Sequence, residues 1–483
     1  METSHVFFIP IMIRLPFYML MAIIMACHTS SSRDGYISQP KPHLADSVMK
    51  YVAIKDDVIA LTNAQIIDGT GSAPKRGYTV VIQGRLIKSV GPTGNVAIPD
   101  KARHIDCTGK TIIPGIVGMH NHLHVPGNIF TGDIATKFYL AAGVTTIQTC
   151  GSAAPEQELA LATAIRQGKA VGPAIIPSGP YINGPGGSGA MFIPTDSDTI
   201  GKFINHWVNE GVRWFKVYRQ ITPSALSTVI NEAHSLGAKV TGHLCSITFE
   251  EAVRFGIDGI EHGFNSMSDF RNDKNDGQCS GSREYIDTLN ISGDEVRRIQ
   301  QLMIDKRVHM TSTLAIYEAS IAHRVSSDAT SLRLMSEAMY QEFIQRHHDG
   351  RATFDSIRQK RLQRIMKFEK QFVEQGGLLI AGVDAGRHVL PGFGDLRNYQ
   401  LLIEAGFLPE EAIKIMSLNG ARVLDNEHIG SIREGKFADL VVIEGELMAS
   451  PDNIHAIEMV FKDGYGYAPE LLLKDLTGTY GNW

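Results

Sequence analysis

The sequence predicts an α/β fold, a (β/α)8 TIM barrel carrying a small β-sandwich formed from both chain ends. Three observations predict it. Eight short apolar runs alternate with amphipathic helical stretches between Ile112 and Ala381, the rhythm of a parallel barrel. Residues 49–113 carry only short β signals separated by turns. Similar β signals return after residue 430, so the barrel reads as an insertion between two halves of the smaller unit. The 483-residue length suits one large domain plus a small one.

The N-terminus stands apart. Arg14 precedes the uncharged apolar run Leu15–Ala26, too short to span a bilayer and fitting the core of a signal peptide. Met12 offers an alternative start. Ile24-Met-Ala-Cys27 resembles a bacterial lipoprotein cleavage box, with Cys27 as the lipidated residue; a signal without lipid is the alternative. Residues 1–27 are therefore expected to be a signal, 28–48 a tether, 49–113 and 426–483 the sandwich, and 114–425 the barrel. The expected location is the periplasm or a lipid-anchored membrane surface of a bacterium. Cys107, Cys150, Cys245 and Cys279 are irregularly spaced, and free thiols are expected rather than a disulfide framework.

The first sandwich half contains Val58–Leu61, Ala64–Ile67, Tyr78–Ile82 and Leu86–Val90. The barrel runs are Ile116–Met119, Val144–Ile147, Ala174–Ile176, Val212–Val217, Lys239–Thr241, Ile257–Ile260, Val308–Ser312 and Leu378–Ala381. Between them, Thr222 caps a helix with Pro223 at its first position and Gly237 past its end. Thr248 and Glu251 have capping-box spacing before a helix ending at Gly256. Asp269–Gly281 reads as a long loop after the sixth strand, and Gly184–Gly189 as a mobile loop at the active site. Gly430–Ile432, Ala438–Ile443 and Ile457–Lys462 complete the sandwich. Arg422 and Asp439 read as structural.

Barrel chemistry gathers at the carboxyl ends of the strands. Strand one ends in His120-Asn-His122, and the i, i+2 spacing of an extended segment turns both rings to one side. Strand four carries Lys216, strand five ends at His243, strand six at Glu261-His262-Gly263 and strand eight at Asp384. A satisfied polar residue explains any one of these; six suitable side chains at matching ends of five strands indicate a metal site. A buried Lys implies a partner or a reaction, because desolvating an ammonium is costly.

Pro114–His122, the Lys, the two His and the Asp together resemble the amidohydrolase superfamily, in its binuclear branch, over about residues 55–465. The dipeptidase-like and imidazolonepropionase-related members are the most similar, through Phe215–Tyr218 and the Gly-His and Glu-His-Gly pairs. The resemblance implies two divalent ions. His120, His122 and Asp384 would hold one, and His243 and His262 the other. Lys216, carbamylated by CO2, would bridge them, its neutral amine favoured by desolvation. Zn²⁺ suits the imidazole-rich set, with Mn²⁺ and Co²⁺ as alternatives. A bridging hydroxide would attack a carbonyl polarised by metal, and Asp384 would move the proton to the leaving nitrogen.

Tyr218 and Arg219 follow Lys216 as candidate substrate contacts, and His124 and His388 lie near the same rim as candidates either to contact substrate or to support the metal ligands. The expected activity is cleavage of an amide in a small substrate such as a dipeptide or cyclic amide. Hydrolysis of a lactone, phosphotriester or imidazolone on the same centre is the alternative. A deaminase would not need Lys216, and an inactive lipid-anchored binding protein would not need all six ligands. The net charge of −5 argues against nucleic acid as a partner. Membrane contact is expected only through Cys27, and the oligomeric state is left open.

Overall fold

The computed structural model describes residues 39–482 apart from 126–128, 188–189, 325–327, 353–354 and 387. The signal segment, Cys27 and the end of the Gly184–Gly189 loop lie outside the described residues.

The eight expected barrel strands all form: β1 (Ile116–Asn121), β2 (Val144–Thr149), β3 (Ala174–Ile176), β4 (Trp214–Val217), β5 (Lys239–Gly242), β6 (Gly259–Glu261), β7 (His309–Ser312) and β8 (Leu379–Ala381). They pair in parallel as two runs, β3-β2-β1 and β4 through β8. This is the TIM-barrel type of α/β fold. Isolated bridges Ser178–Trp214 and Ile182–Val217 join the end of the first run to β4. On the other side, Asp384 N–H donates to His120 carbonyl at 2.9 Å. Gly382 makes this approach possible, since a Cβ there would lie 2.1 Å from the His120 nitrogen.

Helices cover the strands and bury their apolar faces. Thr222 caps Pro223–Ser235 through its hydroxyl, as expected, and Thr248 with Glu251 forms the expected capping box on Phe249–Phe255. Gly256 ends that helix in the left-handed region at φ 93°, where glycine avoids the Cβ penalty. Between β7 and β8 the chain inserts further helices, including Leu314–Glu318 and Glu337–Ala352, before the outer helix Ser356–Glu374.

The small unit draws strands from both chain ends, Val52–Pro114 and Leu440–Tyr467. They join through continuous pairing as a nine-stranded mixed sheet. Val58–Ile66 forks the sheet. It pairs with Lys75–Gln83, with Arg103–Asp106 near its start and with Lys110–Pro114 near its end. The fork lets the sheet turn over a core of Ile59, Leu61, Val80, Ile112, Leu440 and Phe461.

Two further segments differ from expectation. Residues 39–48, the latter part of the expected tether, lie against the fold: Arg85 N–H donates to Gln39 carbonyl, Ala45 N–H donates to Gly168 carbonyl, and Val48 is buried. After the last strand, the helix Pro469–Leu473 and Tyr480 leave the sheet, and the Tyr480 ring packs 5.5 Å from Phe138 on a barrel helix.

Candidate metal centre

The strand ends bring the expected side chains to one place. His120 is fully buried, with Nδ1 2.6 Å from Glu261 Oε2 and Nε2 3.1 Å from Lys216 Nζ. Asp384 Oδ1 lies 3.1 Å from His122 Nε2 and 3.6 Å from His120 Nε2, while Oδ2 lies 3.7 Å from His262 Nδ1. His120, His262 and Asp384 each present a donor atom within 4.8 Å of the others. His243 stands at the edge of the cluster, its ring 4.4 Å from that of His262. A cavity of about 470 Å³ opens over this group.

Local backbone geometry aims two of these residues. His262 has φ 68° and Asp384 φ 47°, conformations that cost non-glycine residues free energy and gather at functional sites. The turn at His262 explains why Glu261 also reaches inward. In a continuing strand, adjacent side chains would point to opposite faces. Here the strand ends at Glu261, so the carboxylate meets His120 while the next imidazole meets Asp384.

The charge balance follows from burial and crowding. Burial pushes His122, His243 and His262 below the ordinary imidazole range, His243 to about 3. Burial opposes charge on His120 as well, but the Cys150 sulfur, Glu261 and Asp384 outweigh it and hold that ring up at about 10. Burial likewise opposes the Asp384 and Glu261 carboxylates. The neighbouring imidazoles outweigh it for Asp384, and His120 and Lys216 for Glu261, which falls to about 2. The Lys216 amine is pulled two ways. Burial alone would lower it, but Cys150, Glu261 and Asp384 raise it above its ordinary value. The acidic groups thus favour positive charge at this point of the fold. Neutral imidazoles beside carboxylates that demand a cation are the donor chemistry of a divalent-metal site.

The expected substrate contacts divide. Tyr218 and His124 line the cavity, together with Tyr181, Met191, Asn265 and Tyr317. Arg219 does not: its side chain is exposed and its guanidinium lies 3.7 Å from Cys279 Sγ. His388 does not line the cavity either. It is buried against Phe343, with Nε2 3.6 Å from Glu342. Its sequence distance from Asp384 misleads because Gly386 and Val389 pair as a bridge and turn the chain aside.

Sequence reasoning missed Tyr181 and Tyr317, and gave Glu261 no role of its own. Tyr181 follows β3, where the rule of polar residues past strand ends would have found it. Tyr317 comes from the inserted helix Leu314–Glu318, which the strand rhythm does not announce.

The expectation of free thiols fails at one pair: Cys245 and Cys279 form a disulfide across 34 residues of chain. It pins the long loop after β6 beside the end of β5. Asp269, at the start of that loop, accepts from the backbone N–H groups of Phe249 and Glu250, and Lys274 Nζ donates to Ser246 carbonyl at 2.7 Å. Asp439 is structural as expected, buried beside Lys462 at 3.1 Å.

A parallel α/β fold with this cluster at its strand ends defines a class, hydrolases whose strand-end side chains suit a divalent metal. Residues 111–467 match the Amidohydrolase family, and the chain belongs to it. In structure it is similar to a Xaa-Pro dipeptidase with bound methionine, at 18% identity and TM-score 0.63 over 85% of this chain and 100% of that one. It is also similar to a bottromycin amidohydrolase, at 17% identity and TM-score 0.65 over 89% and 91%. In sequence it is 35% identical over 94 residues to the dihydroorotase of Anaplasma phagocytophilum (strain HZ), which is 18% of this chain and only 21% of that relative.

Proposed function

We propose that the chain is a binuclear, metal-dependent amidohydrolase that cleaves the amide bond of a small substrate such as a dipeptide or cyclic amide. The convergence of His120, His262 and Asp384 carries this reading, and the Xaa-Pro dipeptidase and dihydroorotase likenesses support it. His120, His122 and Asp384 would hold one ion and His243 and His262 the other, with carbamylated Lys216 between them. Zn²⁺ is the ion we assign. Bound there, the ions would supply Lewis-acid polarisation of the carbonyl and an acidified water. Eight strands closing around the site form the barrel of this reading.

The chain's own residues do the rest. The Glu261 carboxylate accepts the hydrogen bond of His120 Nδ1–H and fixes which nitrogen faces the centre. Asp384 lies against His120, His122 and His262, where it takes a proton from the attacking water and returns it to the leaving nitrogen. Tyr218 lines the cavity beside His243, placed to donate to a substrate carbonyl or carboxylate.

Export from the cytoplasm is part of the same proposal. The Cys245–Cys279 disulfide supports it, because such bonds persist in oxidising compartments. A dipeptide and cyclic-amide panel tests the activity, on protein before and after chelation. Two metal equivalents and chelator-sensitive amide cleavage are expected. Turnover that survives complete metal removal refutes the proposal.

A further inference from the structure

Three side chains lead from the metal cluster into the wall of the barrel. Tyr181 Oη is 3.2 Å from His122 Nδ1 and 3.3 Å from His124 Nε2. His124 Nδ1 in turn lies 4.0 Å from Oε1 of Glu158, a residue with no solvent exposure on the helix Pro155–Arg166. His124 Nδ1 and both Glu158 oxygens are buried without a hydrogen-bond partner. The Ser152 and Thr149 hydroxyls stand near that carboxyl without completing a bond to it. Buried polar atoms are rarely left this way. Here the orphaned nitrogen and one of the orphaned oxygens face each other, at a separation that a small shift would bring into hydrogen-bond range.

The donor directions are set in sequence. With Nε2 of His122 holding a cation beside Asp384, its proton would sit on Nδ1 and be donated to Tyr181 Oη. The Tyr181 proton is then donated to His124 Nε2. That leaves the His124 proton on Nδ1, directed at Glu158. Every group has one role consistent with its neighbours.

We propose that Glu158, His124 and Tyr181 form a positioning chain that locks the tautomer and ring orientation of His122 as a cation ligand. The proposal rests on the metal-centre reading above. A partner on the non-ligating nitrogen raises the basicity of the other and removes the ring's freedom to rotate, and such partners typically affect metal affinity about 10–100-fold. Tyr181 also lines the cavity, so a substrate contact is the competing role.

Zn²⁺ affinity separates the two roles. It is measured by competition with a chromogenic chelator, alongside the thermal midpoint of the metal-free protein. Tyr181→Phe is expected to weaken Zn²⁺ binding about 10-fold or more and to leave the metal-free midpoint near that of the parent. Glu158→Leu, which removes the acceptor, weakens Zn²⁺ binding by a smaller factor. Glu158→Gln, which keeps a carbonyl acceptor, restores it. If Tyr181→Phe binds Zn²⁺ as the parent does and raises only KM, Tyr181 is a substrate contact and the positioning chain is overturned. If Tyr181→Phe lowers the metal-free midpoint, the contrast between Leu and Gln at position 158 decides, and equal affinities there also overturn it. If the parent itself binds no Zn²⁺, the metal-centre reading has failed, and the positioning chain with it.

Discussion

Two buried lysines mark the two halves of the molecule, and their surroundings differ. Lys462, in the small sheet, lies between Asp439 and Asp463, with Nζ 3.1 Å and 2.9 Å from their carboxylates; Arg85 completes the group on Asp463 at 2.6 Å. Its charge is matched pair by pair. Lys216, at the strand ends, meets a ring nitrogen of His120 rather than a carboxylate, in a cluster where four imidazoles and two acids crowd together. The first arrangement resolves its electrostatics within the fold. The second holds opposed charges in a shared field under an open cavity. A closed set of ion pairs serves stability, whereas an unresolved one is poised to take a ligand.

Substitution separates the two lysines. Lys216→Ala is expected to lower kcat/KM roughly 1,000-fold, the scale of losing preorganised electrostatics at a reacting centre, and a short carboxylic acid such as acetate should restore part of it. Its cost in stability should be smaller than that of Lys462→Ala. That second change strands the buried Asp439 carboxylate, while Asp463 keeps Arg85, and should cost about 3–5 kcal/mol, read by urea unfolding, while the protein that remains folded keeps its kcat. Equal activity losses in the two variants would erase the contrast.

The sequence disclosed the rim better than the sheet. Every barrel strand was legible because an apolar run bounded by turns is a local pattern, and the metal-ligand candidates were legible because they end such runs. Glu261, noted at the end of strand six, was given no role of its own because its inward aim depends on the left-handed turn at His262, which alternation does not foresee. Arg219 and His388 misled because nearness along the chain was taken for nearness in space. The disulfide was hidden for the converse reason: Cys245 and Cys279 meet only when the loop after β6 folds back over β5. The fork at Val58–Ile66, where one strand pairs with two others along its length, likewise depends on pairing between distant segments.

The disulfide is the rim's own staple, and it sharpens the comparison at intermediate scale. Cys245→Ser with Cys279→Ser should cost about 2–4 kcal/mol. Because Cys245 lies two residues past His243 and Asn265 lines the cavity, the loss should also raise KM, which Lys462→Ala should not. Reductant should have the same effect on the parent and none on the double variant. An unchanged KM in both would confine the bond to stability.

The smallest expected effect concerns acids that neither half has paired. Burial raises Glu369 and Asp395, both fully buried on barrel helices, to about 8. Ser312 donates to one oxygen of Glu369, and Oε1 of Glu369 and Oδ2 of Asp395 have no partner. Between the ordinary carboxyl range and about 8, the folded chain keeps protons that the unfolded chain has released. Their contribution to stability is therefore full at the acid end of that window and is lost as pH rises through it. Asp395→Asn and Glu369→Gln stay neutral throughout. Each should narrow the difference in urea midpoint between pH 5.5 and pH 8, by up to about 3 kcal/mol in stability. The same slope persisting in both variants would mean that these carboxyls ionise in the fold as they do in water, and that the barrel wall is more polar than its packing implies.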